Sequence, residues 1–292
     1  MRFCFVILHY LVPDITRRCL NCLTGNFSDH DISVVVVDNA SPDGSGAELQ
    51  QEFGNDARIH FVLLRKNEGF ARGNNEGYRY AMENLSPDFV IVMNNDVMVE
   101  DPGFLDGIVQ EYGSKPFAVL GPDIYSPAAD WHQNPARLKP MSLHEVKVLR
   151  AKMAAKHRFY AYHHFSWKLK LRLGLAREKA PVDQGSDTGH EGCVLHGACY
   201  IFSPDFLKTR PFAFNPTTFL YAEEDILAWE CAKASLCVRY TPALKVTHLE
   251  DAATNAAIHS DYFRRKMKYG RIADSLDVLI KLMENGAERN ID

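Results

Sequence analysis

The sequence predicts an α/β fold with a Rossmann-like, mostly parallel central sheet flanked by helices, a helical and basic insertion, and C-terminal helices. Two observations carry that expectation. Short apolar runs rich in β-branched residues, Ser33 to Val37 and Phe89 to Met93, close on polar residues ending in Asp38 and Asp96; such runs mark the central strands of a parallel sheet. Helical stretches alternate with them over residues 2–93, which implies βαβ units with right-handed crossovers.

Element by element, Arg2 to Tyr10 is the first strand, Pro13 to Thr24 a helix and Ile32 to Asp38 the second strand. A polar turn, Asn39 to Ser45, leads to a helix ending near Phe53 and a third strand, Ile59 to Leu64. Lys66-Asn67-Glu68-Gly69 then opens a helix to about Asn84, and Phe89 to Met93 is the fourth strand. After Pro122 the alternation stops, and residues 126–190 are polar, basic and aromatic in patches. Order resumes with an apolar strand, Cys193 to Phe202, interrupted by Gly197; a helix from Asp225 to about Ala234 follows, then a strand from Val238 to Val246 ending near His248. From Asp261 the tail reads as a helix with Ile272, Leu276, Leu279, Ile280 and Met283 on one face.

With 292 residues, 46% of them hydrophobic and 24% charged, the chain is large enough for a sizeable core and ordinary for a globular protein. No apolar stretch approaches the roughly 18 residues that span a bilayer, and the N-terminus enters a strand without a signal-peptide pattern. The expectation is a cytoplasmic protein, peripheral at most on the inner face of the cell membrane. Seven cysteines at irregular spacing argue against a disulfide framework, and Cys19-x-x-Cys22 has no second pair, so reduced thiols near a helix are expected. The net charge of −4 hides an asymmetry. Between Lys147 and Lys179 ten cations face one acid, a local +9 that leaves −13 for the rest. That split points to a local anionic partner and away from nucleic acid.

Several polar groups stand where a parallel sheet binds ligands, outside the carboxyl ends of its strands. Asp38 is placed to accept a hydrogen bond from a base or a ribose hydroxyl; Asp43 and Ser45 behind it read as turn and cap residues. Gly69, Gly73 and Gly77 share one helix face and imply a close approach, by the sheet or by a ligand; Arg72 beside them is placed to face a diphosphate. The pattern is neither a Walker A loop nor G-x-G-x-x-G. Asn94-Asn95-Asp96 offers oxygens to a hard cation such as Mg²⁺ or Mn²⁺. Of Glu223-Glu224-Asp225, one acid suits a general base toward a hydroxyl, the others being favoured anyway in a first helical turn. His248, after the last strand, is placed for a cation or a phosphate.

Taken in order, these segments resemble the inverting family 2 glycosyltransferases with the GT-A fold, in particular those like rhamnosyltransferases. The matching pieces are Val6 to Tyr10, Val37 to Ser45, Asn67 to Asn75, Met93 to Val97, His196-Gly197-Ala198 and Tyr221 to Asp225. The resemblance implies that Asp38 binds the nucleotide base with Leu8 and His9 lining its pocket, and that Asn67, Gly69, Arg72, Asn95 and Gly197 contact the donor. Asp96 matches the last acid of a D-x-D-type motif and is implied to bind the metal, assisted by His248; Asn94 stands in place of the first acid. Asp225 is implied to be the catalytic base, with Glu224 beside it. The implied cofactors are Mn²⁺ or Mg²⁺ and a UDP- or dTDP-linked sugar. The implied reaction moves the sugar, with inversion, to a hydroxyl of a glycan or lipid-linked acceptor in cell-surface polysaccharide synthesis.

On this reading residues 1–125 form the nucleotide-sugar-binding half, 126–191 a variable insertion on the acceptor or membrane side, 192–258 the acceptor and catalytic half, and 259–292 a helical tail. The aromatic and basic run from Phe159 to Leu173 suits either an anionic bilayer surface or a solvated helix or dimer contact. Two other readings compete. A sugar-nucleotide pyrophosphorylase shares the layout but needs a Gly-rich turn that Leu8 to Pro13 lacks. An inactive GT-A scaffold fits less well with the acids at 38, 96 and 225.

Overall fold

The computed structural model describes residues 1–173, 185–250 and 261–288. The expected alternation is there: β1 (Arg2–His9), α1 (Pro13–Asn26), β2 (Asp31–Asp38), α2 (Ser45–Phe53), β3 (Ile59–Leu63), α3 (Gly69–Asn84) and β4 (Phe89–Asn94). Then come β5 (Val97–Met98), α4 (Phe104–Ser114), β6 (Val119–Ser126), β7 (Trp131–His132), α5 (Leu143–Arg158) and α6 (Tyr160–Arg172). The chain continues through β8 (His190–Glu191), β9 (Cys199–Phe202), α7 (Pro204–Leu207), α8 (Glu223–Lys233), β10 (Val238–His248) and α9 (Asp261–Glu288).

One sheet runs through the molecule in the order β3-β2-β1-β4-β9-β6-β10-β5, with β7 beside β6 and β8 beside β10. β1, β2, β3 and β4 pair in parallel, as do β6 and β10; β9 is wedged antiparallel between β4 and β6. The six longer parallel strands therefore share a direction. Side chains alternate across the sheet, and both faces are buried. Phe5, Ile7, Val34, Val36, Ile91 and Met93 pack on one face with Leu20 and Leu23 of α1 and Phe104 and Ile108 of α4. Val6, Val35, Val37, Val90 and Val92 pack on the other with Tyr78 and Ala81 of α3. The uninterrupted apolar sequence of these strands is thus what two covered faces demand.

The glycines of α3 explain its close seat. A Cβ at Gly73 would lie 2.6 Å from Leu8 Cδ1, and one at Gly77 would overlap Val6 and Val37. Sheet packing, not ligand approach, excludes side chains at both positions.

A third apolar cluster lies apart from the sheet's two faces. Val146 and Met153 of α5 meet Ala222 and Ile226 at the start of α8 and Ala273, Leu276 and Leu279 of α9, with Ile272, Ile280 and Met283 packed around them. The tail's expected apolar face is therefore spent on α5 and α8. All seven cysteines are free thiols. No helix of the described residues is long and apolar enough to cross a membrane.

Two expectations need correction. Only Cys199–Phe202 of the run from Cys193 is a strand; Val194 instead makes an isolated bridge with Arg137, and Asn134 Oδ1 takes the His196 amide at 3.0 Å. The second concerns extent: the insertion expected to be helical and basic is, among the described residues, helical only over its middle, in the two helices α5 and α6. The first opens with a capping box, the Ser142 side chain accepting from the Glu145 amide and Glu145 from Ser142. Residues 174–184, including Arg177 and Lys179 of the basic run, and residues 251–260 lie outside the described residues.

Candidate active site

Because the parallel strands share a direction, their carboxyl ends form one edge of the sheet. β1 delivers Leu8 and His9 there, β2 Asp38, β4 Asn94, and β10 His248. β9 runs the other way, so the His196-Gly197 that precedes it reaches the same edge. Register fixes the row: His9 lies opposite Asp38, Leu8 opposite Asn94, and Met93 opposite Cys199. The Asn39 amide donates to His9 O, Asn94 to Ala198 O, and Leu249 to Asp96 O, each at 2.9 Å. Two strand spacings, about 10 Å, separate the ends of β2 and β4.

At the β1–β2 end lies a cavity of about 360 Å³, within the range of small-ligand sites. Leu8, Asn39, Asn67 and Gly69 line one side, the Phe219–Tyr221 loop another, and Arg264, Lys268 and Arg271 of α9 a third. Asn39 holds the inner wall: its Nδ2 donates to Asn67 Oδ1 (3.2 Å) and Gly69 O (3.1 Å), and its Oδ1 accepts from the Glu68 amide (2.8 Å). Gly69 has φ +79°, and a Cβ there would strike the Phe219 carbonyl, which accepts from the Phe70 amide at 2.7 Å. The glycine is what lets the 219 loop meet α3. Asp38 is 7% exposed; its Oδ1 accepts from the Ser41 amide at 3.1 Å, and its carboxyl fills the space a side chain at Gly46 would take.

Three expected donor contacts are engaged elsewhere. His9 is fully buried, with Nδ1 2.7 Å from Thr16 Oγ1 and Nε2 2.9 Å from Ser45 Oγ. Asn95 donates to the same Thr16 oxygen at 2.8 Å, and Ser45 Oγ donates to Asp43 at 2.6 Å. Donors and acceptors then run in one sense, from Asn95 through Thr16 and His9 to Ser45 and Asp43, which fixes His9 as the neutral Nε2–H tautomer. Burial, the largest influence, lowers the His9 pKa and agrees with it. Arg72 is exposed and donates through Nε to Pro216 O at 2.7 Å, so it ties down the 216 loop. A short side chain bonded to α1 and a guanidinium bonded to a carbonyl are held away from the cavity.

At the β4–β10 end, Asp96 and His248 are buried, with Asp96 Oδ1 3.2 Å from His248 Nε2. His248 Nδ1 lies 2.7 Å from Gln133 Oε1, while the Gln133 amide nitrogen donates to Glu250. The glutamine oxygen thus accepts from Nδ1, and Nε2 faces a carboxylate oxygen that has no hydrogen-bond partner. A carboxylate oxygen and an imidazole nitrogen side by side in a buried site offer two ligands to a cation. Among the described residues no group of three or more His, Cys, Asp and Glu side chains converges on a metal site. Asp96 and His248 therefore fit an ion that completes its shell with ligand oxygens. His196 stacks obliquely on His248, ring centres 5.8 Å apart, and burial pushes its pKa down to about 4. A Cβ at Gly197 would meet nothing within 4 Å, so the space before β9 is open.

The acids of α8 follow two consecutive residues in left-handed backbone, Tyr221 (φ 74°) and Ala222 (φ 63°). Asp225 is buried and paired with Arg137; burial raises its pKa and Arg137 opposes that. Glu224 is half-buried, its pKa raised by burial and then by Asp225. Glu223 is pushed up to about 8 by burial and by Glu224, and its Oε1 has no partner. The Tyr200 hydroxyl beneath these acids is also buried without a partner. Gln133, Asn134 and Arg137 link the parts: the first orients His248, the second holds the His196 backbone, the third pairs with Asp225. Sequence reasoning missed all three, because they lie in a stretch that carries no periodicity.

A mostly parallel sheet with acids along its carboxyl edge is what the resemblance to GT-A glycosyltransferases implies. The family model for Glycosyl transferase family 2 matches residues 4–172, well over half the sequence, and the chain belongs to that family. The low-salt glycan biosynthesis hexosyltransferase Agl10 of Haloferax volcanii is 38% identical over 65 residues, 22% of this chain and 20% of that protein. Among solved structures, S. aureus TarS in complex with UDP-GlcNAc aligns with a TM-score of 0.52 and 15% identity, over 91% of this chain and 64% of its own. GalNAc-T7 with UDP, GalNAc and Mn²⁺ aligns with a TM-score of 0.57 and 10% identity, over 86% of this chain and 44% of its own. The chain spans a fifth of the curated relative and about half to two thirds of these structures, and at such identities the structures show the fold.

Proposed function

We propose that this glycosyltransferase moves a sugar from a UDP- or dTDP-linked donor to a hydroxyl of a glycan or lipid-linked acceptor, with inversion, in cell-surface polysaccharide synthesis. The observation that carries the reading is the buried Asp225–Arg137 pair in the first turn of α8, which follows directly on the Phe219–Tyr221 loop that lines the cavity. Asp38 and the Asn39 wall bind the nucleoside. Asp96 and His248 would hold a Mn²⁺ or Mg²⁺ together with donor oxygens, and that ion would supply Lewis-acid stabilisation of the departing diphosphate. Burial raises the Asp225 pKa and Arg137 opposes that, and a carboxylate with a raised pKa is the better base. As the acceptor oxygen bonds to the anomeric carbon, the carbon–oxygen bond to the diphosphate breaks with its electron pair leaving on the diphosphate, and the acceptor proton passes to Asp225. A glycosidase would instead set two carboxyl groups across a scissile bond with no diphosphate. The test is Asp225→Asn, for which we expect transfer to fall about 10²–10⁴-fold while donor affinity stays within about threefold. Transfer near the wild-type rate would sink the assignment; loss of donor binding as well would make Asp225 a structural residue.

A second reading concerns the acceptor side. Tyr162, Phe165 and Leu169 of α6 are 77%, 68% and 46% exposed and follow helical spacing on one side. Phe263 and Met267 of α9 are exposed as well, and α6 and α9 touch, with Tyr160 and Tyr262 ring centres 4.8 Å apart. Aromatics among cations suit an anionic bilayer surface, where a lipid-linked acceptor would be presented. Sedimentation with phosphatidylserine vesicles should be lost in high salt and in a Tyr162→Ser, Phe165→Ser variant; no loss in that variant would leave the patch to another partner.

A further inference from the structure

We propose that Lys268 and Arg271 of α9 are donor-binding residues, forming a cationic outer wall that grips the diphosphate of the nucleotide in the cavity closed by Asn39, Asn67 and Gly69. The proposal rests on the donor reading above and adds to it a binding surface from the C-terminal helix. Arg264, Lys268 and Arg271 recur at i, i+4 and i+7 along α9, so they share one face, and all three line the cavity. Among the described residues, neither Lys268 nor Arg271 is within ion-pair distance of a carboxylate. Their contacts are with π-faces instead: Arg271 lies 4.3 Å from the Phe219 ring centre and Lys268 5.4 Å from that of Tyr221. A cation held over a ring at a cavity rim keeps its N–H groups available to an anion.

The placement is built, not incidental to a loose tail. The Ser275 hydroxyl donates to Leu220 O at 3.1 Å, and Leu276 and Leu279 are buried against Ala222 and Ile226. The Phe219–Tyr221 loop is thereby held between α3 and α9. Lys268 also lowers the pKa of Glu224, opposing its burial, so its charge reaches the acid row. A donor in this cavity has its nucleoside against Leu8 and Asn39 and its negative charge toward α9.

The experiment is calorimetric titration of wild type and Lys268→Gln, Arg271→Gln with UDP, dTDP, uridine and thymidine, each with and without Mn²⁺. The double substitution should weaken the diphosphate bound by wild type about 10–100-fold and leave the matching nucleoside within twofold, with Lys268→Arg, Arg271→Lys restoring most of the affinity. Unchanged diphosphate affinity would overturn the cationic wall while leaving the donor reading intact. Equal loss of nucleoside and diphosphate would also overturn it, since that is the signature of a disturbed loop. Wild type that binds neither diphosphate would remove the donor reading and this one together.

Discussion

The two ends of the sheet's carboxyl edge treat their polar residues in opposite ways. Where β1, β2 and α1 meet, five side chains from Asn95 to Asp43 satisfy one another in a single directed chain. Where β4, β10 and α8 meet, Asp96 Oδ1, Glu223 Oε1 and the Tyr200 hydroxyl are buried without hydrogen-bond partners, Asp96 Oδ1 facing His248 Nε2 alone. A buried polar group left unpaired costs about 1–3 kcal/mol. A fold tolerates several together where a bound group completes them. The first end is scaffold that sets strand ends in register; the second is where the chemistry is expected.

The largest effect should come from breaking the satisfied end. His9→Ala strands Thr16 and Ser45 and opens a small cavity, and a loss of about 3 kcal/mol is expected, read as a lower urea midpoint at unchanged slope. A loss under about 1 kcal/mol would mean the chain of hydrogen bonds is not what separates the two ends.

Next is the unsatisfied end. Glu223 is raised from 4.5 to about 8, so between those values the folded state retains a proton that the unfolded state has released. Stability therefore falls as pH rises through that window, by up to about 1.4 kcal/mol per pH unit, and levels off above it. Glu223→Gln should flatten this slope in denaturation midpoints measured from pH 4.5 to 8; a slope unaltered by the substitution would assign the unpaired oxygen no energetic weight.

The smallest effect sharpens the boundary. Arg72→Ala should cost under about 0.5 kcal/mol and leave nucleoside diphosphate affinity unchanged, because the guanidinium serves the Pro216 carbonyl. A tenfold loss of that affinity would return Arg72 to the donor.

Sequence alone conveyed the alternating half well, because buried parallel strands write themselves as apolar runs and their ends as polar turns. It conveyed which residues stand at the edge but not which way each side chain turns. His9 and Asn95 were legible as edge residues, yet Thr16, one turn into α1, offers them a hydroxyl, and no local pattern announces that. Arg137, 88 positions from Asp225, meets it only because Arg137 bridges to Val194 across the fold. Gly73 and Gly77 illustrate a tie that sequence left open and packing resolved toward the sheet. The helical character of the insertion was legible but the bounds of its helices at 143–172 were not: few of their residues are buried, so no apolar stripe develops, although the capping box at Ser142 and Glu145 gives a readable start.

One consequence follows from the backbone at Tyr221 and Ala222. Neither residue is glycine, and each left-handed conformation costs about 1–2 kcal/mol. That stored energy acts like a cocked spring directly upstream of Glu223, Glu224 and Asp225. The Phe70–Phe219 and Ser275–Leu220 hydrogen bonds are its catches. The two bonds anchor the turn to α3 and α9, so the aim of the acids in the first turn of α8 depends on helices that carry none of them.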